Sequence, residues 1–489
     1  GAGRCVLGDP EHQRVCVPAL MKAQIRGLVP TKMFPKITSL HTFVLAVLFL
    51  TTALTGRALP VSFRSEIAPL LLAQCQGCHG AEKAKGDYRV DSYTELMRAL
   101  EEEPPRVQAG KPAASLILQL LSSEEADDRM PQKSAPLGAG QIELVRRWIG
   151  EGASFDGDDP DAALVQVIPV RRHEPAPAKY PRPMPITALE FSPDGRELAA
   201  SGLREITLWN PATGGLVRRI PNMARRTLAL AWSPDGKQLV AAGGIPGELG
   251  EARVFDPDTG ELLAVAHRSG DVVLDVRYDG IGAMFAVADA ENRIAIYNSA
   301  DFSRRRLIDN HADWVLALAW SPDGKFLASA SRDKTAKIFE AKSGEVISTY
   351  SGHRAEVFGV AFRADGQQVF STGRDGKIHV WKAGLADTTG KRFGAEKVAE
   401  LGGLGRAMAR PRMVADRLFT HADPGRVRQH DADSRKLLRE FDGAGDWVQS
   451  LAHHAPGNRL ATGGHDGRVL VWDTQTGKLL SEFVASPGR

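Results

Sequence analysis

A chain of 489 residues is too long for one ordinary domain, so two or three units are expected. Its 43% hydrophobic and 25% charged content is that of a folded, soluble chain and excludes a disordered or fibrous one. A formal net charge of +3, with no basic stripe interleaved by aromatics, gives nucleic-acid binding no support.

The one strongly apolar run is 43–54, FVLAVLFLTTAL. It is too short to span a bilayer comfortably, where about 20 residues are needed. Lys32 and Lys36 precede it, and Gly56 and Ala58 stand at plausible −3 and −1 cleavage positions, the layout of a secretory signal peptide. A buried core helix and an uncleaved anchor are the alternatives. Residues 1–58 are therefore expected to be an upstream segment plus a signal at about 33–58, and the protein to be periplasmic or otherwise exported. Membrane attachment is expected only through an uncleaved signal. Cutting the signal removes Cys5 and Cys16 and leaves Cys75 and Cys78.

From 61 to 156 the sequence predicts a small all-α domain. Ile67, Leu70 and Leu71 fall at helical spacing, and SYTELMRAL (92–100) is a short helix candidate. Ser115 precedes LILQLL as a candidate cap. Ile142, Val145, Trp148 and Ile149 form one apolar face, with Gly150 and Gly152 as a stop. Such a domain is at the low end of what a hydrophobic core alone stabilises. A bulky cofactor would supply the missing apolar contact. Residues 157–185 read as an extended proline-rich linker, with 165–170 as a candidate edge-pairing segment.

From 186 to 489 the chain repeats itself. Turn motifs end at Gly195, Gly236, Gly280, Gly324 and Gly366, at intervals of 41, 44, 44 and 42 residues, and HAPGN at 454–458 lies two periods further on. Alternating apolar residues with turn chemistry at fixed offsets predict four antiparallel strands per unit. These units resemble the WD-repeat family over about 186–485. Trp209, Trp381 and Trp472 stand where the family's Trp-Asp pair begins, and His353 follows Gly352 as in its Gly-His signature. The resemblance implies a hydrogen-bonding tetrad of His353, Thr372, Asp375 and Trp381. Phe255, Tyr297 and Phe339 replace the tryptophan in other units, and the unit at about 404–442 keeps almost nothing of the pattern. Seven units predict an all-β propeller of seven blades, with six and eight as alternatives. The last unit ends in its own fourth strand, so the ring is expected to close without a borrowed one.

The chemistry sits in Cys75-Gln76-Gly77-Cys78-His79, a CxxCH motif, the attachment signature of c-type haem. Two cysteines three apart at the end of a helix present their sulfurs on one side for thioether bonds to the porphyrin, and the adjacent His79 is the proximal iron ligand. A structural zinc site needs four ligands, and no second cysteine pair exists; His41 and His173 are the nearest other histidines. A thioredoxin-type dithiol needs a βαβ setting, whereas this region reads as helix. No histidine lies between His79 and His173, so a second axial ligand from this domain is Met, Lys or water. Met97 falls at an apolar helical position and reads as core. Met130 sits in a non-helical Arg-Met-Pro segment and is the candidate distal ligand, with gap filling as the alternative.

The stretch 61–155 resembles the planctomycete-type cytochrome c domain. The resemblance rests on Phe63 with IAPLL, CQGCHG, GKPAASLILQLL, Arg129-Met130-Pro131 and IELVRRWIGEGA. It implies one covalent haem c with His79 and Met130 as axial ligands. With both axial positions filled, electron transfer is expected rather than enzymatic oxygen or peroxide chemistry. The propeller is expected to dock a protein redox partner whose identity the sequence does not give. A haem-containing scaffold or redox sensor is the alternative, and a peroxidase-type enzyme a weaker one. Asp235 and Asp323 read as turn formers, Asp333, Asp375 and Asp466 as braces of blade turns, and 304–306 as a solvated loop.

Overall fold

The structure, a computed structural model, describes residues 59–80, 83–99, 105–132, 135–385, 394–402, 411–414, 416–422, 425–443 and 447–488. The apolar run at 43–54, the cleavage positions, Cys5 and Cys16 all lie outside these residues. Pro60–Arg489 is one compact unit holding both the helices and the blades.

The first element is a π-helical turn, Phe63–Ile67, opened by Ser62, whose hydroxyl accepts from the Ser65 amide. It continues as α1 (Ala68–Gln74), with Pro69 in its first turn, where a missing N–H costs nothing. The direction changes at Cys75, and α2 (Gln76–His79) follows. Ser92 caps α3 (Tyr93–Met97) by accepting from the Glu95 amide. Ser115 precedes α4 (Leu116–Leu121) but does not cap it. Its hydroxyl instead accepts from the Gln108 amide and donates to the Lys111 carbonyl, tying down the loop before the helix. The long α5 (Ala139–Gly150) buries Val145, Trp148 and Ile149, and Gly152 follows at φ 104°.

These helices converge on one apolar core. Phe63 lies within 5.6 Å of the Tyr93, Phe155 and Trp148 rings, and Ile67, Leu71, Leu96, Leu118 and Leu121 fill in around them. The Trp148 indole N–H donates to the Ser154 carbonyl, so the largest core side chain leaves no polar atom unsatisfied.

Residues 165–170 do not pair with a sheet edge. Leu164–Val167 form a further short helix, α6, and its Val165 packs into the outer faces of blades 2 and 3 beside Leu72. The proline-rich stretch after it is extended and tied down. The Arg253 guanidinium donates to the Arg171 carbonyl, Arg219 donates to those of Pro177 and Ala178, and the Tyr180 hydroxyl donates to Glu205. The Tyr180 amide donates to the carbonyl of Pro487, near the opposite end of the chain.

Seven four-stranded antiparallel sheets follow, each built from four consecutive strands. Blade 1 begins at Leu189–Phe191, blade 2 at Arg226–Trp232, blade 3 at Val273–Tyr278 and blade 4 at Val315–Trp320. Blade 5 begins at Val357–Phe362, blade 6 at Arg412–Val414 and blade 7 at Val448–His454. Blade 6 forms its sheet although its sequence keeps almost none of the repeat pattern. The expected braces are present. Ser233 and Ser321 donate to Asp235 and Asp323 in their turns, and Asp333, Asp375 and Asp466 accept from the amides of Thr335, Lys377 and Arg468.

Among the described residues no strand is borrowed to close the ring. Blades 7 and 1 meet through the Ser450 hydroxyl on the Ile186 carbonyl, the Ile186 amide on Gly464, and Arg459 on the Gly195 carbonyl.

Candidate functional site

Cys75, Cys78 and His79 occupy the one-turn helix α2 and its cap, where the break after α1 concentrates them. Both cysteines are free thiols; Cys75 is half-buried against the helical core and Cys78 is exposed. Burial pushes the Cys75 thiol up to about 12, against a smaller opposing pull from the Arg304 charge. A dithiol oxidoreductase lowers its nucleophilic thiol. This thiol is shifted the other way. Gly80 follows at a position with no room for a side chain, since a Cβ would stand 2.9 Å from the Gln76 carbonyl.

The His79 ring is half-buried, and its Nδ1 lies 3.1 Å from the Tyr88 carbonyl. A ring nitrogen that donates to a backbone carbonyl fixes the tautomer and leaves Nε2 as the lone-pair donor, the arrangement of metal-ligating histidines. Desolvation lowers the affinity of His79 for a proton, while the Tyr88 and Lys85 carbonyls oppose that shift. The Tyr88 amide bonds the Lys85 carbonyl, the Val90 amide bonds the His79 carbonyl, and Arg106 lies over the Tyr88 ring at 4.5 Å. The residues present therefore fit a covalently held haem: two thiols flanking an imidazole whose other nitrogen is already engaged.

Met130 and Met97 are both half-buried at the edge of the core that Cys75 also flanks. The Met130 amide donates to the Leu120 carbonyl, which fixes its segment against the end of α4. Met97 lies in the last turn of α3.

Sequence reasoning missed Arg304. The 304–306 run is not a solvated loop; it opens the outermost strand of blade 3, Arg304–Asp309. The Arg304 guanidinium donates to the carbonyls of Leu72 and Ala73, at the C-terminal end of α1, immediately before the CxxCH motif. Leu72, Ala163 and Val165 pack against the cluster containing Phe285, Tyr297 and Phe302. The helix that precedes the motif, α1, thus rests on blades 2 and 3.

In blade 5 the tetrad differs by one residue from expectation. His353 Nε2 and the Trp381 indole both meet the hydroxyl of Ser371, not Thr372. Strand periodicity decides this, because Ser371 is the register partner of His379, two residues before Trp381.

The fold and the site together define a WD-repeat β-propeller joined to a small helical domain that bears a CxxCH motif. The Planctomycete cytochrome C family model matches residues 75–134, a span that includes Cys75, Cys78, His79 and Met130. The WD domain, G-beta repeat, matches 302–340, 344–382 and 435–473. Each of those matches runs from the outermost strand of one blade into the third strand of the next. The chain thus joins a helical segment that matches the planctomycete cytochrome c family model to a WD-repeat propeller.

Among curated proteins it is similar to nuclear distribution protein PAC1 of Arthroderma benhamiae, 26% identical over 47% of this chain and 55% of the relative. It is 37% identical to denticleless protein homolog B of Xenopus laevis over 21% of this chain and 15% of that protein. WD repeat-containing protein 1 of Xenopus tropicalis is 26% identical over 38% of this chain and 31% of its own. The chain spans about half the length, or less, of these curated relatives. Among the described residues no helix is long and apolar enough to cross a membrane.

Proposed function

We propose that this protein is an exported c-type cytochrome that carries electrons to or from a protein partner, with the propeller as support and docking scaffold. The observation that carries this reading is the Nδ1 of His79 on the Tyr88 carbonyl, within a CxxCH motif inside the cytochrome-matched segment. Cys75 and Cys78 would hold the haem through thioethers, and His79 Nε2 and the Met130 sulfur would ligate its iron. A bound haem c supplies a one-electron iron couple. The chain's part is to fix the proximal imidazole, to supply a thioether that raises the potential relative to a second histidine, and to close the iron to exogenous ligands. In the propeller the Ser371, His353 and Asp375 side chains are hydrogen-bonded in series as a brace within blade 5. The propeller's repeats serve as a protein-protein surface.

The test is an optical spectrum of protein matured with a cytochrome c assembly system, oxidised and reduced, with a pyridine haemochrome assay. A low-spin spectrum with covalently retained haem is expected. Colourless protein from a competent host removes the reading. A high-spin spectrum with rapid cyanide binding moves it toward a peroxidase-type centre. An electron-inert haem whose loss leaves partner binding intact moves it toward a scaffold or sensor.

A further inference from the structure

The propeller holds a second cluster of donors, in blade 5, that the haem site does not use. His353, Asp375 and His379 each present one ligand atom, all within 4.8 Å of one another. His353 Nδ1 lies 3.1 Å from Asp375 Oδ2, and His379 Nε2 lies 3.4 Å from Glu400 Oε2. His379 is only 2% exposed, and its Nε2 is buried without a hydrogen bond.

The repeat does not require this second imidazole. In blade 4 the equivalent His311 sits between Asp333 and Ser329, at 2.7 and 2.6 Å. The position facing Ser329 there is Lys337, whose ammonium turns away to the Asn310 carbonyl. Blade 5 places His379 at that register position, facing Ser371.

From these observations we propose that His353, Asp375 and His379 bind one divalent transition-metal ion of the zinc class, with Glu400, 3.4 Å from His379, joining them as the fourth ligand by a side-chain shift. Zinc bonds to nitrogen and oxygen of about 2.0–2.2 Å place neighbouring ligand atoms of a tetrahedron about 3.4 Å apart. Of the two close donor separations, 3.4 Å matches that value and 3.1 Å is slightly shorter, and all three atoms of the His353, Asp375 and His379 cluster lie within 4.8 Å. Two neutral imidazoles with two carboxylates are an ordinary donor set for this metal.

The other nitrogen of each ring is engaged in the way such sites need. His353 Nε2 meets the Ser371 hydroxyl at 2.8 Å, and His379 Nδ1 meets the Tyr350 hydroxyl at 2.8 Å. Both rings are therefore oriented from behind. The Glu400 side chain is about one-third exposed, which gives an ion a route in from solvent. The rings stack at 3.9 Å and 9°, so ligation by both requires them to splay. Lys377 and Lys397 also pair with Glu400, and a bound ion competes with them for its carboxylate.

The test is a zinc titration of the full chain with Cys5, Cys16, Cys75 and Cys78 all alkylated, so that no thiol competes. One zinc ion per chain, with a dissociation constant below about 10 μM, is expected. The variant His379→Lys installs the side chain that blade 4 already tolerates at this place. It is expected to weaken binding about 100-fold or more, with circular dichroism and melting unchanged. Glu400→Gln, at the surface, is expected to weaken it about tenfold. Absence of zinc binding, or unchanged affinity in His379→Lys, overturns the proposal. Should His379→Lys fail to fold, unchanged affinity in Glu400→Gln overturns it.

Discussion

Arg304, in the outer strand of blade 3, donates a hydrogen bond of 2.8 Å to the carbonyl of Ala73, two residues before the first cysteine of the CxxCH motif. A second bond, to Leu72, lies beside it at 3.0 Å. A helix ends with unpaired carbonyls, and a cation there both satisfies them and complements the helix dipole. Here that cation comes from another domain, so the end of α1, just before the CxxCH motif, is completed by the propeller.

Arg304→Ala is therefore expected to loosen the helical domain where it rests on blades 2 and 3. Two charge-assisted bonds are lost, each contributing about 1.5–3 kcal/mol. Hydrogen exchange across 68–80 should accelerate while the propeller's own melting changes little. Unchanged protection in the variant would show that the apolar contacts of Leu72 and Val165 suffice alone.

Met130→Ala is expected to leave haem attached through Cys75 and Cys78 but to open the iron. The spectrum should turn high-spin, exogenous ligands should bind, and the potential should fall. Met97→Ala, in the last turn of α3, should leave the spectrum low-spin. A reversal of the two outcomes would assign the distal ligand to Met97.

His453 gives the propeller a pH dependence of known sign. Burial, helped by the neighbouring His454 and Arg412 charges, lowers it from 6.5 to about 4. Between pH 6.5 and about 4 the unfolded chain binds a proton that the folded chain refuses. Stability from this group is full above pH 6.5 and is lost as pH falls through that window. Denaturant midpoints at pH 7.5 and pH 5 should differ more in the parent protein than in His453→Gln. An equal difference would place the acid sensitivity elsewhere.

Gly195→Ala is expected to weaken the contact between blades 7 and 1. The residue has φ 70°, and a Cβ there would lie 2.2 Å from the Arg459 guanidinium and 2.4 Å from the His454 ring. Gly247→Ala shares the positive φ, at 68°, with open space around it. It should cost only the backbone strain, about 1 kcal/mol. Thermal melts of the two variants separate steric crowding at the seam from left-handed backbone alone.

The blades were legible because their signals are local. Asp-Gly turns recur at a nearly fixed period, and each strand alternates within itself, so even the degenerate unit at 404–442 could be located by counting from its neighbours. Cys75, Cys78 and His79 were legible because the attachment chemistry fixes their spacing. Arg304 was not, because a run of three arginines in sequence looks like a solvated face, and only the packing of α1 on blade 3 gives one of them a carbonyl pair 231 residues away. Ser371 was misassigned to Thr372 because adjacent hydroxyls differ only in which side of the strand they occupy. Residues 165–170 have the apolar run of a strand, yet contact with the blade cluster selects a helical turn.

A ring made of seven self-contained sheets has a place where it can come undone. Chain continuity runs around the circle, but the last blade and the first are joined by a shared apolar core and by side-chain and loop hydrogen bonds. The Tyr180 amide on the Pro487 carbonyl lies across that gap, with the same tyrosine anchored to Glu205. The proline-rich stretch is thereby a buckle. A fragment trimmed to begin at Ile186 would keep every blade and the direct contacts between the last and the first, yet lose this outer strap.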